Sequence, residues 1–235
     1  MGYFYDLHVH SKECSGCAAS DVYELVTASK NAGYAGFVLT NHFLTGNNCI
    51  SKELSPEEKV RCYWNAYLKA KEYGDSIDFD VFFGLEHNYG FAQEILIYGI
   101  DLDFLLANLD LCDISAEEIC DRVHAVGGFV SHAHPYRERG YIPKGDHQMD
   151  FSYLDGIEIY NSANREEEDE RAQALRDELD IAYTAGNDLH WDVHLKNFPH
   201  AGLEFDRRIS DSKELVSALF NREGSLRYSG ERFFK

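Results

Sequence analysis

Basic residues are scarce: 22 lysines and arginines stand against 41 aspartates and glutamates, a net charge of −19 over 235 residues with histidine neutral. That deficit argues against a long groove tracking a nucleic-acid backbone, because counterion release needs cations facing the phosphates. It argues equally against docking on an anionic membrane. No apolar run approaches the roughly 20 residues of a membrane span, and Met1 to Asp6 leads into patterned sequence with no apolar signal region. Prolines number only four, and no proline-rich linker, tandem repeat or low-complexity tract divides the chain. Residues 1–235 are therefore expected to form one domain, large enough to bury a full core without disulfides or a structural metal. Cysteine is present but unpatterned, at 14, 17, 49, 62, 112 and 120. Reduced thiols in a cytoplasmic protein are the expectation. The single C-x-x-C, Cys14 to Cys17, stands open between a redox pair, half a zinc site and neither, since no second C-x-x-C completes a structural zinc site.

What is present is an apolar fraction of 44%, too high for a disordered acidic tail. Aromatic residues reach 14%, but without a basic background they do not make a nucleic-acid surface. Strand-like apolar runs alternate with helix-like stretches. Tyr3 to His10, Ala35 to Thr40, Asp80 to Leu85, Glu94 to Ile100, Phe129 to His132, Leu154 to Tyr160, Ile181 to Ala185 and Leu203 to Ile209 read as strands. Asp21, Ser55-Pro56-Glu57-Glu58 and Ser115-Ala116-Glu117-Glu118 are helix starts, each with a capping residue and acids near the positive end of the dipole. Arg165 to Leu179 reads as a charged, exposed helix, with Glu166 to Glu170 a solvated face, and Asp211 to Asn221 as the last helix. The alternation implies an α/β fold with a parallel sheet covered by helices. Seven or eight units suggest a closed or nearly closed barrel, with a doubly wound open sheet as the alternative.

The chemistry falls at the ends of these strands. His8 and His10 end the first, His42 follows the second, Glu86 the third, His132 and His134 end the fifth, and Asp188 and His190 follow the seventh. A parallel barrel gathers all its strand C-termini on one face, so eight metal-capable side chains converge there. Residues i and i+2 of a strand point the same way, so His8-Val9-His10 and His132-Ala133-His134 each present two imidazoles together. Imidazole and carboxylate are ligands that zinc, manganese and iron all accept. By the same alternation His87 points away from Glu86. His194 and His200 are expected to be exposed.

These residues carry a family resemblance. Asp6-Leu7-His8-Val9-His10, Thr40-Asn41-His42, Gly84-Leu85-Glu86, Ala133-His134-Pro135-Tyr136-Arg137 and Gly186-Asn187-Asp188-Leu189-His190 resemble, in order, the motifs of the polymerase and histidinol phosphatase (PHP) superfamily. The resemblance implies a distorted seven-stranded (β/α) barrel with its metal site at the strand C-terminal ends. It implies two or three divalent cations and hydrolysis of a small phosphorylated substrate by a metal-activated hydroxide. His8, His10, Glu86 and Asp188 would hold one cation, Glu86 would bridge to a second that takes His134, and His42 and His190 would belong to a third. Arg137 is placed either to bind phosphate in a bidentate fork or as a surface charge. Two positions depart from the family's pattern. Its carboxylate or histidine before an early glycine falls at Ser15, with Cys14 an alternative ligand, and its fourth-strand histidine falls at Leu96. His132 has two readings, a replacement ligand or a hydrogen-bonded core histidine. Asn161 and Asn164 either reach the substrate or close turns. Alternatives to the phosphoesterase are an amidohydrolase-like C–N hydrolase and a non-catalytic metal-binding or sensor module. Cleavage of short oligonucleotides is compatible with the first reading. Oligomeric state is not legible.

Overall fold

The computed structural model describes residues 2–145, 147–197 and 200–229. In chain order the elements are β1 (Tyr3–Val9), α1 (Val22–Asn31), β2 (Gly36–Leu39), α2 (Pro56–Ser76), β3 (Asp80–Gly90), β4 (Gln93–Tyr98), α3 (Leu102–Ala107), α4 (Ala116–Ala125), β5 (Phe129–His132), β6 (Gly156–Asn161), α5 (Glu166–Leu179), β7 (Ala182–Gly186), α6 (His194–Asn197), β8 (His200–Phe205), α7 (Ser212–Phe220) and β9 (Ser225–Ser229). The helices start where the capping residues lie. Asp21 accepts from the Glu24 amide at 2.9 Å while Glu24 accepts from the Asp21 amide at 2.9 Å, and Ser55 and Glu58 repeat this box before α2.

The fold is α/β, but the sheet is not the expected seven-stranded barrel. Nine strands form one mixed, nearly closed sheet in the order β7-β6-β5-β4-β3-β2-β1-β8-β9. The β1–β2, β2–β3, β5–β6 and β6–β7 pairs are parallel, whereas β4 runs antiparallel to both neighbours and β8 to both of its own. The reversal at β4 has a local cause. Only Phe91 and Ala92 separate β3 from β4, and a parallel crossover needs about a dozen residues. Both residues take positive φ, 55° and 56°, the backbone of a tight hairpin turn that matches strand twist. No Asn-Gly or Asp-Gly signals this turn in the sequence.

Closure runs through β1. Its first residues pair with β8, Tyr3 opposite Phe205 and Tyr5 opposite Leu203. Beyond them the segment after β7 takes over: the Leu189 amide donates to the His8 carbonyl at 3.1 Å and the His10 amide to the Leu189 carbonyl at 2.8 Å. Gly186 permits this approach, since a Cβ there would stand 2.5 Å from His8 Cβ.

Alternation along the strands sorts side chains between two layers. Val38, Phe82, Leu96, Tyr98 and Phe129 fill the barrel interior, each burial worth about 1.5–3 kcal/mol. Phe37, Leu39, Val81, Phe83, Ile95, Ile97 and Val130 face the helices. Glu86 therefore shares the inner face with Phe82 and Gly84, and Glu94 shares it with Leu96 and Tyr98. His87 and His132 fall on the outer face and are buried there.

His132 is a hydrogen-bonded core histidine: Nδ1 lies 2.9 Å from the Ala133 carbonyl and Nε2 2.8 Å from the Tyr89 hydroxyl. Burial pulls its pKa down to about 4. His87, beside Phe43 and Thr45, is likewise pulled to about 4 by burial. Such a histidine stays neutral in the folded chain while the unfolded chain protonates near 6.5. Between these values the unfolded state binds more protons, so stability falls as pH falls. Replacing His87 with glutamine is expected to flatten this dependence between pH 6 and pH 5 by about 1.2 kcal/mol, most of one proton's worth. Urea denaturation of the two proteins across that range measures the difference; parallel slopes would contradict it. Among the described residues no helix is long and apolar enough to cross a membrane.

Candidate metal centre

The rim at the C-terminal ends of the parallel strands gathers His8, His10, His42, Glu86, His134, Asp188 and His190, but not His132. Their donor atoms form overlapping sets, each within 4.8 Å: His8, His10 and Asp188; His8, Glu86 and His134; His42, Glu86 and Glu94; His10, His42 and His190. Glu86 sits at the middle. One carboxylate oxygen lies 3.0 Å from His8 Nε2 and 3.1 Å from His134 Nε2, and the other 2.6 Å from His42 Nδ1. Asp188 lies 3.3 Å from His10 Nε2 and 3.6 Å from His8 Nε2. Two of the rim residues hold left-handed backbone, His134 at φ 29° and Asp188 at φ 54°. Such strain concentrates at functional sites.

Outer partners fix the rings. His8 Nδ1 lies 2.9 Å from Glu158, whose second oxygen accepts from the His134 amide at 2.9 Å and from Asn161 Nδ2 at 3.0 Å. His10 Nδ1 lies 3.2 Å from Ser15 Oγ, and His190 Nδ1 lies 2.8 Å from the Asp188 carbonyl. A proton held on each of these Nδ1 atoms leaves the Nε2 lone pair facing the cluster. Among the described residues, His8 Nε2, His10 Nε2, His42 Nδ1 and one Glu86 oxygen are buried with close ion-pair contacts but no aligned hydrogen bond. Unpartnered buried donors and acceptors of this density are costly unless something else completes them, and imidazole with carboxylate is a donor set divalent cations accept.

The charges are mutually dependent. Burial opposes charge on His8, but the Glu158, Asp188 and Glu86 carboxylates outweigh it and hold His8 well above the ordinary imidazole range. His10 goes the opposite way, pushed well down by burial and by the neighbouring His42 and His190. Burial raises the pKa of Glu86, yet His8 and His42 bring it well below the usual carboxylate range. Glu94 is raised by burial and by the nearby Glu86 charge.

Several expectations need correction. The position expected to lack a ligand, Leu96, lies in the barrel interior opposite Glu86. The group that reaches the rim from β4 is Glu94, 3.5 Å from His134 Nε2 and 3.6 Å from His42 Nδ1. Because β4 runs antiparallel, its N-terminal end is the end at the site, so the ligand position comes earlier in the strand than Leu96. Glu94 was detectable as the charged residue opening the apolar run Ile95 to Tyr98. Glu158 was detectable as the lone charge between Ile157 and Ile159 of a buried strand. Cys14 is not at the site: it packs in the core, where burial drives its pKa up. Cys17 takes that side instead, its Sγ 3.0 Å from His190 Nε2. Burial raises the Cys17 thiol, but the adjacent His190 and His42 bring it to about 6. Ser15 is a buried hydrogen-bonding hub, donating to Asn41 Oδ1 at 2.9 Å and accepting from the His42 amide at 3.0 Å.

Arg137 is not a surface charge. Its side chain is 9% exposed and its Nη1 donates to Asp188 at 2.7 Å. Nε donates to Asn164 at 2.8 Å, and Nη2 is buried without a hydrogen-bond partner among the described residues. The acidic start of α5 is solvated only in part: Glu166, Glu167 and Glu170 are exposed, whereas Glu168 and Asp169 are buried. Glu168 accepts from the Glu138 amide at 2.9 Å and Asp169 from Asn164 Nδ2 at 2.8 Å, so α5 secures the loop and the asparagine that position Arg137. His194 and His200 are half-buried rather than exposed.

No protein-family model and no curated protein matches this chain by sequence. Solved structures do. A two-domain protein from Bacteroides vulgatus, containing a predicted PHP-like metal-dependent phosphoesterase, superposes with a TM-score of 0.66 at 13% identity, over 97% of this chain and 65% of its own length. The lesion-specific endonuclease PfuEndoQ from Pyrococcus furiosus gives 0.66 at 15% identity, over 94% of this chain and 56% of its own. A protein from Bifidobacterium adolescentis named as a metal-dependent phosphoesterase gives 0.54 at 17% identity, over 79% and 87%. This chain thus spans less than two thirds of the first two. The likeness is one of fold: the chain folds as PHP-like metal-dependent phosphoesterases do.

Proposed function

We propose that the chain is a metal-dependent phosphoesterase that hydrolyses a small phosphorylated substrate with two or three divalent cations, zinc, manganese or iron, at the rim. The observation that carries this reading is the overlap of four sets of candidate ligands, two sharing Glu86 and three containing a carboxylate, with the ring nitrogens His8 Nε2 and His10 Nε2 buried among them without a hydrogen bond from the described residues. His8, His10, Glu86 and Asp188 hold one cation, Glu86 with His134 and Glu94 a second, and His42 and His190 belong to a third. When bound, such cations supply Lewis acidity to a phosphoryl oxygen and bring coordinated water towards ionisation near neutral pH. The chain itself does the positioning. Glu158 and Ser15 fix the His8 and His10 rings, and Asn164 with Asp188 fixes the Arg137 guanidinium so that Nη2 faces an incoming phosphoryl oxygen. Concentrated positive charge at this point admits an anionic substrate to a protein of net charge −19. A glutamate at the centre, where a carboxylated lysine would mark the amidohydrolase alternative, favours the phosphoesterase. The test is metal analysis of the purified protein together with hydrolysis of phosphomonoesters, phosphodiesters and nucleotides. At least two cations per chain and turnover of one such class are expected; a fully metallated protein that turns over none would overturn the reading.

A further inference from the structure

The cluster of His10, His42 and His190 lacks a carboxylate of its own. The three rings crowd together, with centroids 4.3 Å apart for His10 and His42 and 4.4 Å for His10 and His190. Imidazoles so placed repel one another when protonated, and His10 Nε2 is buried without a hydrogen-bond partner among the described residues. The residue that reaches this side from the turn after β1 is Cys17. Its Sγ lies 3.0 Å from His190 Nε2, the nitrogen left with a lone pair once Nδ1 donates to the Asp188 carbonyl. The turn is anchored to the same segment, since the Ala19 amide donates to the His190 carbonyl at 3.1 Å. Cys17 is exposed and free of any disulfide, and its C-x-x-C partner Cys14 is sealed in the core, which removes a redox pairing between them.

We propose that Cys17 supplies a thiolate ligand to the third cation held by His42 and His190, at the place where Ser15 leaves no carboxylate. The inference rests on the metal-centre reading above and adds the ligand and the selectivity of one position. The thiol proton passes to solvent as the sulfur–cation bond forms. Ligand bonds of about 2.3 Å to sulfur and 2.0–2.1 Å to nitrogen around a tetrahedral ion separate the two atoms by about 3.6 Å. The present 3.0 Å contact opens to that distance by a small rotation of an exposed side chain. A thiolate is a soft ligand, so this position favours zinc over manganese, whereas the imidazole and carboxylate positions do not make that distinction.

Cobalt(II) tests the assignment, because thiolate ligation gives a charge-transfer band in the near ultraviolet that imidazole and carboxylate do not. Wild-type protein stripped by chelation and reloaded with cobalt is expected to show the band. Cys17→Ser is expected to lack it and to bind one cation fewer per chain, measured by mass spectrometry on the same samples. Cys17→Asp is expected to recover that cation without the band. Cobalt bound by the wild type with no band, or a Cys17→Ser protein with unchanged stoichiometry, would overturn the thiolate ligand and leave the hydrolase reading standing. Failure of the wild type to bind cobalt at all would overturn both.

Discussion

Glu86→Gln is expected to strip the centre of its cations and remove hydrolysis. Glutamine keeps the size and one carbonyl oxygen but loses the charge that His8, His42 and His134 face at 3.0, 2.6 and 3.1 Å. Even outer-shell substitutions at metal sites typically cost 10–100-fold in affinity, so loss of the central carboxylate is expected to cost more than about 100-fold. The fold should survive, since Glu86 belongs to the polar rim and not to the apolar cluster of Phe82, Leu96 and their neighbours that stabilises the barrel. The measurements are cation content per chain, turnover of the best phosphoester, and thermal unfolding with and without added cation. Wild-type protein should gain thermal stability on loading and the variant should gain much less, because a ligand stabilises only in proportion to its affinity for the folded state. A variant with full stoichiometry and undiminished turnover would remove Glu86 from the centre of the chemistry.

The candidate site was legible for a physical reason. Polar side chains placed directly after apolar strands are held at one rim by topology alone, so His8, His10, His42, Glu86, His134, Asp188 and His190 meet there even though single motifs such as His8-Val9-His10 say little. The helices were legible through Asp21, Ser55 and Ser115, whose side chains satisfy first-turn amides. What was not legible turned on strand direction. Alternating elements imply parallel strands, and the two-residue turn at Phe91-Ala92 reverses one of them without any glycine at its centre. That reversal moves the rim position of β4 from Leu96 to Glu94. The antiparallel β8 and β9 extend the sheet beyond seven strands in the same way.

Residues acting through others were harder to see. Composition makes the start of α5 look solvated, because five consecutive acids seldom all find partners. Here Glu168 accepts from the Glu138 amide, 30 residues away in sequence, and Asp169 from Asn164 in the turn just before α5. Arg137 was ambiguous for the same reason. Nothing in Pro135-Tyr136-Arg137 tells a buried guanidinium from an exposed one, and only the packing of α5 and the rim decides it.

Arg137→Ala is expected to lower kcat/KM on a phosphoester by about tenfold to a hundredfold or slightly more, with cation content unchanged. A charge-assisted hydrogen bond is worth about 1.5–3 kcal/mol, and each 1.36 kcal/mol, or about that, is tenfold in rate. The guanidinium already spends Nη1 on Asp188 and Nε on Asn164, which leaves Nη2 for the substrate. Those two contacts set its direction, so the interaction is preorganised and little side-chain entropy is lost when an anion arrives. Asp188 keeps His8, His10 and His190 as neighbours after the truncation, which is why the cations are expected to stay. Arg137→Lys should recover only part of the loss, because an ammonium keeps the charge without the fork that reaches Asp188 and the phosphoryl oxygen together. Asn164→Ala should give a smaller fall, since it frees the guanidinium from one restraint and leaves its charge in place. Steady-state kinetics with metal content measured on the same preparations separates these cases. A kinetically silent Arg137→Ala would mean that the substrate is held by the cations alone, and a variant that sheds cations would place Arg137 in the support of Asp188 rather than on the phosphate.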